Sequence, residues 1–341
     1  MISSRYVQKE EFSRFMVNQP ARKASFSLVT LELTHRCNNS CRHCYINLPE
    51  YDRAALEQEL PAEVWKKILT QIVDSGIFEI YFTGGEPLLR EDFAEIYLFA
   101  RRLGLPVTIA TNARLVTREM AGLFSRVPPL RAIQISLYGK AETECARTTG
   151  MSGTFDEVSN AVELLRQSGV PFELKVPFLQ SNRKEMSGLL SWAKSLLVFP
   201  ENVPFTDSLW LRVHQDSEEK NTTIRNLRVN PRAVWQRLNQ EFPNFQKGHL
   251  QFSQHFMRPS GDVLFTCDIA THGVIDPYGF FFPCVSFRHP DFGQSVVSET
   301  LEKARREVFG KAVQARSHSQ EYLERCGICF LKGFCEQCPG R

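Results

Sequence analysis

The sequence predicts an α/β protein in which a partial (β/α)6 parallel barrel is followed by a small cysteine-rich domain. From Ser27 to His214, short β-branched or aromatic runs alternate with longer segments of helical periodicity, which is typical of βα units and a parallel sheet. Nine of the ten cysteines form two groups, one inside this alternation at Cys37–Cys44 and one after it. We therefore divide the chain into an N-terminal extension, a barrel, a connecting segment and a cysteine-rich domain, at residues 1–26, 27–215, 216–256 and 257–341.

Six strands are predicted in the barrel from the β-branched and aromatic runs, with helical segments between them. In parallel barrels the reactive groups lie on loops at the C-terminal ends of the strands, so these ends are where a site is expected. The predicted strands are Leu28–Leu33, Ile77–Phe82, Pro106–Ala110, Ala132–Leu137, Phe172–Phe178 and Leu209–His214.

The helices are predicted from capping residues and from apolar spacing. Thr154 and Glu157 have the spacing of a capping box, and Asn182 is the expected cap of a helix that runs to about residue 197. The connecting segment is expected to hold one helix after Pro231 and to be polar elsewhere. A further helix has an apolar stripe at i, i+3, i+4 and i+7, formed by Trp65, Ile68, Leu69 and Ile72.

Composition is that of a globular protein with a large core, since 43% of the 341 residues are hydrophobic and 23% are charged. No apolar stretch approaches the roughly 18 residues of a membrane span, and the N-terminus has no signal-peptide pattern. Ten cysteines without a secretion signal predict metal ligation in the cytoplasm, without membrane contact. The net charge of +3 gives no argument for nucleic acid, and the basic stretch Lys220–Arg232 is expected to be a solvated linker.

The first cysteine group, Cys37, Cys41 and Cys44, follows the first predicted strand. Three thiolates separated by three and then two residues can hold one [4Fe–4S] cluster from a single loop, and they leave the fourth iron without a protein ligand. A zinc site is the alternative, which is disfavoured because zinc prefers four ligands and paired CxxC spacings. The open iron is a position at which a cofactor can bind.

A second motif, Thr83-Gly84-Gly85-Glu86-Pro87, directly leaves the second predicted strand. Paired glycines allow the backbone to approach a ligand that a Cβ would obstruct, although such a run alone would be an ordinary turn. Together with the CxxxCxxC spacing, the motif resembles the radical S-adenosylmethionine (SAM) superfamily. The resemblance implies that SAM binds the open iron through its amino and carboxylate groups, and that one electron cleaves it to methionine and a 5′-deoxyadenosyl radical.

The resemblance also implies SAM contacts for individual residues. The Glu86 carboxylate is expected to hold the SAM amino group, Ser136 the ribose, and Arg147 the carboxylate, because a guanidinium suits a planar carboxylate. A surface arginine and a strand-end serine satisfied by the backbone are the alternatives. Tyr138 stands where relatives often have Asp. The cofactor-binding candidates are His43, Tyr45, Gly84, Gly85, Glu86, Pro87, Asn112, Ser136 and Arg147.

Polar residues near the ends of the last two predicted strands are further candidates, because barrel strand ends face the site. The alternative for Lys175 is a helix interface. Cys145 belongs to no spacing pattern and is expected to be a small buried hydrophobe. No catalytic residue is assigned. The strand-end candidates are Lys175, Gln180, Arg212 and His214.

The second cysteine group begins with Cys267 and Cys284, which bracket a turn sequence at 276–279 that predicts a hairpin. The six cysteines resemble the SPASM appendage of radical SAM maturases, although the last spacing is two residues instead of three and no seventh cysteine follows before Arg341. The resemblance implies one or two auxiliary [4Fe–4S] clusters. One zinc ion held by the last four cysteines is the alternative. The implied ligands are Cys267, Cys284 and Cys338 for one cluster, and Cys326, Cys329 and Cys335 for the other.

Relatives with this appendage mostly modify peptides or proteins. The resemblance therefore implies a radical SAM maturase that abstracts hydrogen from a peptide or protein and makes a crosslink, an epimerisation or an oxidation. Oxidation of a small-molecule cofactor precursor is the alternative among enzymes, and a non-catalytic zinc or iron–sulfur module is the alternative of another class. A flavodoxin or ferredoxin type reductant is implied. A partner protein is a candidate for peptide recognition, because residues 1–26 hold no evident recognition domain.

Overall fold

The computed structural model describes residues 28–46, 48–196, 218–241, 246–247, 261–265 and 272–329. Strands β1 to β7 comprise Leu28–Thr34, Arg36–Cys37, Leu48–Pro49, Glu79–Gly84, Val107–Thr111, Leu130–Ser136 and Phe172–Lys175. Helices α1 to α7 comprise Arg53–Gln58, Ala62–Asp74, Phe93–Arg102, Arg118–Arg126, Glu142–Thr149, Thr154–Gln167 and Met186–Leu196. They are followed by α8 (Glu218–Leu227), α9 (Pro231–Glu241), β8 (His272–Ile275), β9 (Phe280–Phe282), β10 (Gln294–Ser295), α10 (Leu301–Gln314) and α11 (Gln320–Arg325).

Five of the predicted barrel strands form a parallel sheet in the order β1-β4-β5-β6-β7, which confirms the α/β prediction. Their bounds lie within about two residues of the predicted ones, except that β7 ends at Lys175 instead of Phe178. The strand cannot continue its ladder far, because Pro177 has no N–H to donate. The sixth predicted strand, Leu209–His214, lies outside the described residues.

The sheet has an apolar outer face and a polar inner face. Val29 and Leu31 of β1 are fully buried in the hydrophobic core. Glu32 follows Leu31 and lies on the other face of the sheet, because side chains alternate along a strand. Lys175 on β7 donates a hydrogen bond of 2.9 Å to the hydroxyl of Tyr81 on β4. Since β5 and β6 separate these strands, the sheet curves around the inner face, as a partial barrel requires.

The predicted stripe of α2 is confirmed, because its four apolar residues are buried. The predicted capping box of α6 is wrong. Gly153 occupies the cap position with a φ of 77°, and no side chain caps the helix. The Thr154 hydroxyl donates instead to the carbonyl oxygen of Met151 at 2.8 Å, and Glu157 forms an ion pair with Arg114.

The predicted cap at Asn182 is also wrong, because α7 begins only at Met186. The Asn182 Oδ1 accepts from Leu179 N at 2.9 Å, and its Nδ2 donates to the carbonyl oxygen of Pro177 at 2.8 Å. The side chain therefore closes the turn after β7 and does not cap a helix.

The stretch Lys220–Arg232, predicted as a solvated linker, is instead mostly helical, because α8 and the start of α9 occupy it. The fully buried Ile224 packs against Leu179 and anchors α8. Helix α9 confirms the helix predicted after Pro231. Among the helices that the structure describes, none combines the length and the apolar character needed to cross a membrane.

The C-terminal part joins the barrel. Strand β8 pairs in parallel with β1, and β9 returns antiparallel to β8, so the predicted hairpin is confirmed, with Gly279 N donating to Asp276 O at 3.1 Å across the turn. Helix α10 lies beside α2, where Leu301 N donates to Gln71 Oε1 at 2.7 Å. Phe281 belongs to the same core as the barrel strands. Residues 272–314 thus extend the sheet and core of the barrel, whereas the sequence predicted a separate appendage.

Candidate cofactor site

The cysteine loop, defined as residues 37–44, leaves the C-terminal end of β1, at the edge where β4 and β5 also end. The end of α5 supports it, because Ser40 N donates to Thr149 O at 2.8 Å. Gly150 ends α5 with a φ of 71°, and a Cβ at this position would lie 2.9 Å from Ser40 O. The close approach of helix and loop therefore depends on a glycine.

The end of β5 holds the other side of the cysteine loop. Asn112 Nδ2 donates to Asn38 Oδ1 at 2.7 Å and contacts Cys37 Sγ at 3.7 Å. Arg114 Nη1 donates to Asn39 Oδ1 at 2.9 Å. Asn112 was predicted as a cofactor contact, and the structure gives it a second task, which is to fix the loop at its first cysteine.

The three thiols of the loop have an electrostatic environment that suits a cation. Burial raises the pKa of Cys37 to about 12 and raises that of Cys41 still further, and the neighbouring Cys44 adds to both shifts. Thiols that oppose one another's ionisation become thiolates when a metal binds them, so the residues present fit an iron–sulfur cluster. Within the described ranges, no three His, Cys, Asp or Glu side chains are close enough to enclose a metal ion.

His43 also fits the cofactor. Its Nδ1 is buried and has no hydrogen-bond partner in the part of the chain that the structure describes. Burial lowers the pKa of His43 to about 4, so its ring is neutral near pH 7. A buried polar atom without a partner calls for an explanation, and a bound ligand beside the cysteine loop supplies one.

The two glycines of the second motif lie where the backbone after β4 packs closely against the backbone after β1. Gly85 N donates to Thr34 O at 2.7 Å, and Glu86 N donates to Arg36 O at 2.9 Å. A Cβ on Gly84 would lie 2.1 Å from Thr34 O, and one on Gly85 would lie 2.2 Å from Arg36 O. The close approach that these glycines allow in the structure is to the segment that leads into the cysteine loop, and the room they are predicted to make for a ligand stays a prediction.

The Glu86 side chain is turned into the protein and is fully buried. Its Oε1 accepts from Leu88 N at 3.0 Å and from Thr111 Oγ1 at 2.8 Å, and its Oε2 accepts from Asn112 N at 2.7 Å. Burial raises the pKa of Glu86 to about 7, although the three hydrogen bonds act to lower it. The SAM contact predicted for this carboxylate stays a prediction, and in the structure the carboxylate has another role. It ties the loop and its following 3-10 turn, which begins at Pro87, to the end of β5.

The variant Glu86→Gln tests this structural role. At pH 8, above the pKa of Glu86, we expect a loss of about 1–3 kcal/mol in the free energy of unfolding, because one oxygen is replaced by an amide that faces another donor. Faster chelator-induced loss of iron is expected with it, since Asn112 holds the cysteine loop. Urea unfolding and iron release measure the two effects. Weaker SAM binding at unchanged stability would instead indicate the predicted direct contact between Glu86 and SAM.

An ionic cluster beside the site was missed by the sequence-based predictions. Glu59 accepts from Arg36 Nε at 2.8 Å and from Arg90 Nη1 at 3.4 Å, and all three side chains are buried. Arg90 also donates to Leu33 O at 3.0 Å. These bonds fix the residue that precedes Cys37. No local sequence pattern predicts these bonds, because the partners come from separate segments of the chain.

Glu32 was missed as well, and it is the centre of a buried cluster on the inner face. It accepts hydrogen bonds of 3.0 Å from the Tyr45 hydroxyl and from His35 Nε2, and it forms an ion pair with Arg288. The cluster joins β1, the residue after Cys44 and the C-terminal hairpin region. The signal in the sequence was the charged residue between Leu31 and Leu33, since a strand with alternating polarity has a polar inner face.

The remaining barrel candidates have different surroundings. Ser136 forms a hydrogen bond with the Tyr138 side chain, and Arg147 is exposed on the last turn of α5. Lys175 faces the inner side of the sheet, so the helix interface is excluded. Gln180 is exposed and donates to the carbonyl oxygen of Arg228, the residue after α8, at 2.9 Å. Arg212 and His214 lie outside the described residues. As predicted, Cys145 is buried, and it packs with Cys41 and Tyr138.

Half of the C-terminal cysteines can be placed. Cys284 lies in an aromatic cluster where the rings of Phe265 and Phe287 are 4.6 Å apart, so Phe265, which precedes Cys267 by two positions in the sequence, lies near Cys284. Cys329 N donates to Cys326 O at 3.1 Å, which makes the first CxxC a tight turn. Cys267, Cys335 and Cys338 lie outside the described residues.

A parallel sheet that presents three thiols from one loop at its carboxyl edge offers the protein ligands that an iron–sulfur cluster needs. Residues 31–192 match the Radical SAM superfamily.

Curated relatives match about half of this chain. A PqqA peptide cyclase from Gluconobacter oxydans is 32% identical over 165 residues, which cover 48% of this chain and 45% of that protein. An Fe-coproporphyrin III synthase from Methanosarcina barkeri is 31% identical over 162 residues, which cover 48% of this chain and 39% of that protein. The chain thus spans less than half of the length of these relatives.

Solved structures match more of the chain. SuiB of Streptococcus suis, crystallised with S-adenosylmethionine, has a TM-score of 0.68 at 17% identity, covering 97% of this chain and 78% of SuiB. Native anSMEcpe with bound AdoMet has a TM-score of 0.60 at 15% identity, covering 90% of this chain and 88% of that protein. These likenesses establish the fold.

Proposed function

We propose that this protein is a radical SAM enzyme that abstracts a hydrogen atom from a peptide or protein substrate and acts as a maturase. The observation that carries the proposal is the cysteine loop at the carboxyl edge of a radical SAM domain. The peptide class is supported by the 32% identical PqqA peptide cyclase and by the fold of SuiB, which has been crystallised with its precursor peptide SuiA.

The residues around the cysteine loop have different proposed roles. Cys37, Cys41 and Cys44 would hold the cluster, and Asn112 with the end of α5 would keep their loop in place. His43 would offer its buried ring nitrogen to the cofactor. When bound, the cluster and SAM supply the electron and the 5′-deoxyadenosyl group that takes the substrate hydrogen.

The C-terminal cysteines would hold one or two auxiliary [4Fe–4S] clusters. The ligand sets proposed from the sequence are supported by the contact between the segment before Cys267 and the surroundings of Cys284. Zinc held by the last four cysteines is the alternative. A flavodoxin or ferredoxin type protein would supply electrons, and a separate protein would assist peptide recognition.

Anaerobic reconstitution tests the proposal. We expect more than about four irons and as many sulfides per chain, which is the content of one [4Fe–4S] cluster, and formation of 5′-deoxyadenosine from SAM after reduction with dithionite. Co-expression with a short peptide encoded beside the gene should then yield a peptide lighter by about 2 Da for a crosslink or oxidation. Iron-loaded protein that does not cleave SAM would overturn the proposal.

A small-molecule substrate is the second candidate, because the Fe-coproporphyrin III synthase relative is nearly as similar as the peptide cyclase. Incubation of the reduced enzyme with coproporphyrin species and with peptides separates the two. Turnover of the porphyrin with no change in any peptide would favour this candidate.

A further inference from the structure

Tyr138 lies against the cysteine loop in a way that the proposed function does not use. It is the second residue after β6, is 9% exposed, and packs in one buried cluster with Cys41. Its hydroxyl oxygen lies 3.8 Å from Cys41 Sγ, which is within the range of a hydrogen bond to sulfur. The centroid of its ring lies 5.4 Å from that of the His43 ring. Tyr138 therefore contacts two residues of the cysteine loop, Cys41 and His43.

The chemistry of the two groups decides which one donates. A thiolate that ligates iron carries no proton, so Cys41 Sγ can only accept. The Tyr138 hydroxyl keeps its proton near pH 7, because an ordinary tyrosine loses it only at about pH 10. The Ser136 hydroxyl is hydrogen-bonded to the same tyrosine, and a donation from Ser136 leaves the tyrosine proton directed at the sulfur.

A hydrogen bond to a cluster sulfur changes the cluster's reduction potential. Reduction adds negative charge that spreads onto the sulfurs, and a donor at a sulfur stabilises that charge. Cys37 Sγ already receives Asn39 N at 3.4 Å and Asn112 Nδ2 at 3.7 Å. Tyr138 brings a donor to Cys41, on a side chain that can be altered without touching a ligand.

We propose that the Tyr138 hydroxyl donates a hydrogen bond to Cys41 Sγ and raises the reduction potential of the cluster held by the cysteine loop. Tyr138 is thus a positioning residue that makes the cluster easier to reduce. The inference rests on the proposed function only in that Cys37, Cys41 and Cys44 hold a cluster, and it holds for any substrate.

The test is an EPR-monitored redox titration of the full-length, anaerobically reconstituted protein. The cluster of the cysteine loop is recognised by the change of its signal on adding SAM, which separates it from auxiliary clusters. In Tyr138→Phe we expect a more negative midpoint potential, with slower SAM cleavage under dithionite that recovers under the stronger reductant Ti(III) citrate. The matched control is Tyr97→Phe, which removes a buried hydroxyl that donates to Val127 O at 2.5 Å, and it should leave the potential unchanged.

A second variant keeps the test valid if Tyr138→Phe loads iron poorly. Site-specific 3,5-difluorotyrosine at position 138 retains the ring and makes the hydroxyl a stronger donor, so the potential should become more positive. A normal SAM-responsive signal with an unchanged potential in either variant overturns the inference alone. A wild-type protein without any SAM-responsive signal overturns the proposed function, and the inference with it.

Discussion

Replacing Cys37, Cys41 and Cys44 together by alanine is expected to abolish SAM cleavage, with no 5′-deoxyadenosine above the reagent background. These side chains are the proposed protein ligands of the cluster, and without them no iron is held at the mouth of the barrel. Iron is expected to remain on the protein through the C-terminal cysteines. Mass spectrometry of the nucleoside from dithionite-reduced protein, with iron and sulfide assayed on the same sample, measures both effects.

Cys145→Ala is the matched control. Cys145 is buried and packs in one cluster with Cys41 and Tyr138, but it has no place in the ligand set. This variant should keep its iron and its SAM cleavage, and a loss of cleavage would contradict the ligand assignment. Loss of all iron from the triple variant would contradict the auxiliary clusters.

Replacing Glu32 by alanine is expected to lower the free energy of unfolding by about 3 kcal/mol, the lower end of the range for breaking a buried ion pair. Glu32 is fully buried, and its removal leaves Arg288 without its carboxylate and Tyr45 without its acceptor. The lower end applies because the Arg288 side chain is 21% exposed and gains some solvation. Equilibrium urea unfolding, followed by tryptophan fluorescence at matched iron content, measures the change.

Two further variants control this experiment. Glu163→Ala removes an exposed ion pair with Arg166 and should cost less than about 0.5 kcal/mol. The double variant Glu32→Leu with Arg288→Met removes both charges, and it should recover part of the loss because no unpaired charge remains. Equal losses for the buried and the exposed pair would contradict the importance of the Glu32 cluster.

The pH dependence of the Glu32 contribution has a defined sign. Burial acts to raise the pKa of Glu32, but Arg288 and the bonds from His35 and Tyr45 outweigh it and lower the pKa from 4.5 to about 2. A carboxyl with a lowered pKa stabilises the folded state above its unfolded pKa, and this contribution disappears as the pH falls through the folded value. The stability difference between wild type and Glu32→Gln should therefore shrink between about pH 4.5 and pH 2.

The parallel strands and the apolar stripe of α2 were predictable from the sequence, because buried strands and amphipathic helices carry their period in a few neighbouring residues. The capping predictions failed at Thr154 and Asn182, since each polar side chain has several acceptors within reach. Thr154 bonds to Met151 O and Asn182 to Pro177 O. Which hydrogen-bond partner such a side chain takes depends on the backbone conformation of the turn before the helix, and the local sequence pattern does not predict that conformation.

Some features of the site were likewise predictable from the sequence, and others were not. The cysteine spacing identified the loop, because the three thiols lie within eight residues and need no distant partner to be recognised. The direction of Glu86 was not predictable, since its three donors come from Leu88, Thr111 and Asn112 and only the packing of β5 against the loop brings two of them there.

By itself, the sequence determined the positions of five barrel strands along the chain, the cysteine loop and the Gly-Gly-Glu motif, because each is a local property of a short segment. Only the tertiary structure decided that Glu86 faces the interior, that Glu32 pairs with Arg288 256 residues away, and that residues 272–314 continue the barrel. These features depend on burial and on contacts between distant segments, where desolvation and packing select the partner and no local pattern encodes the choice.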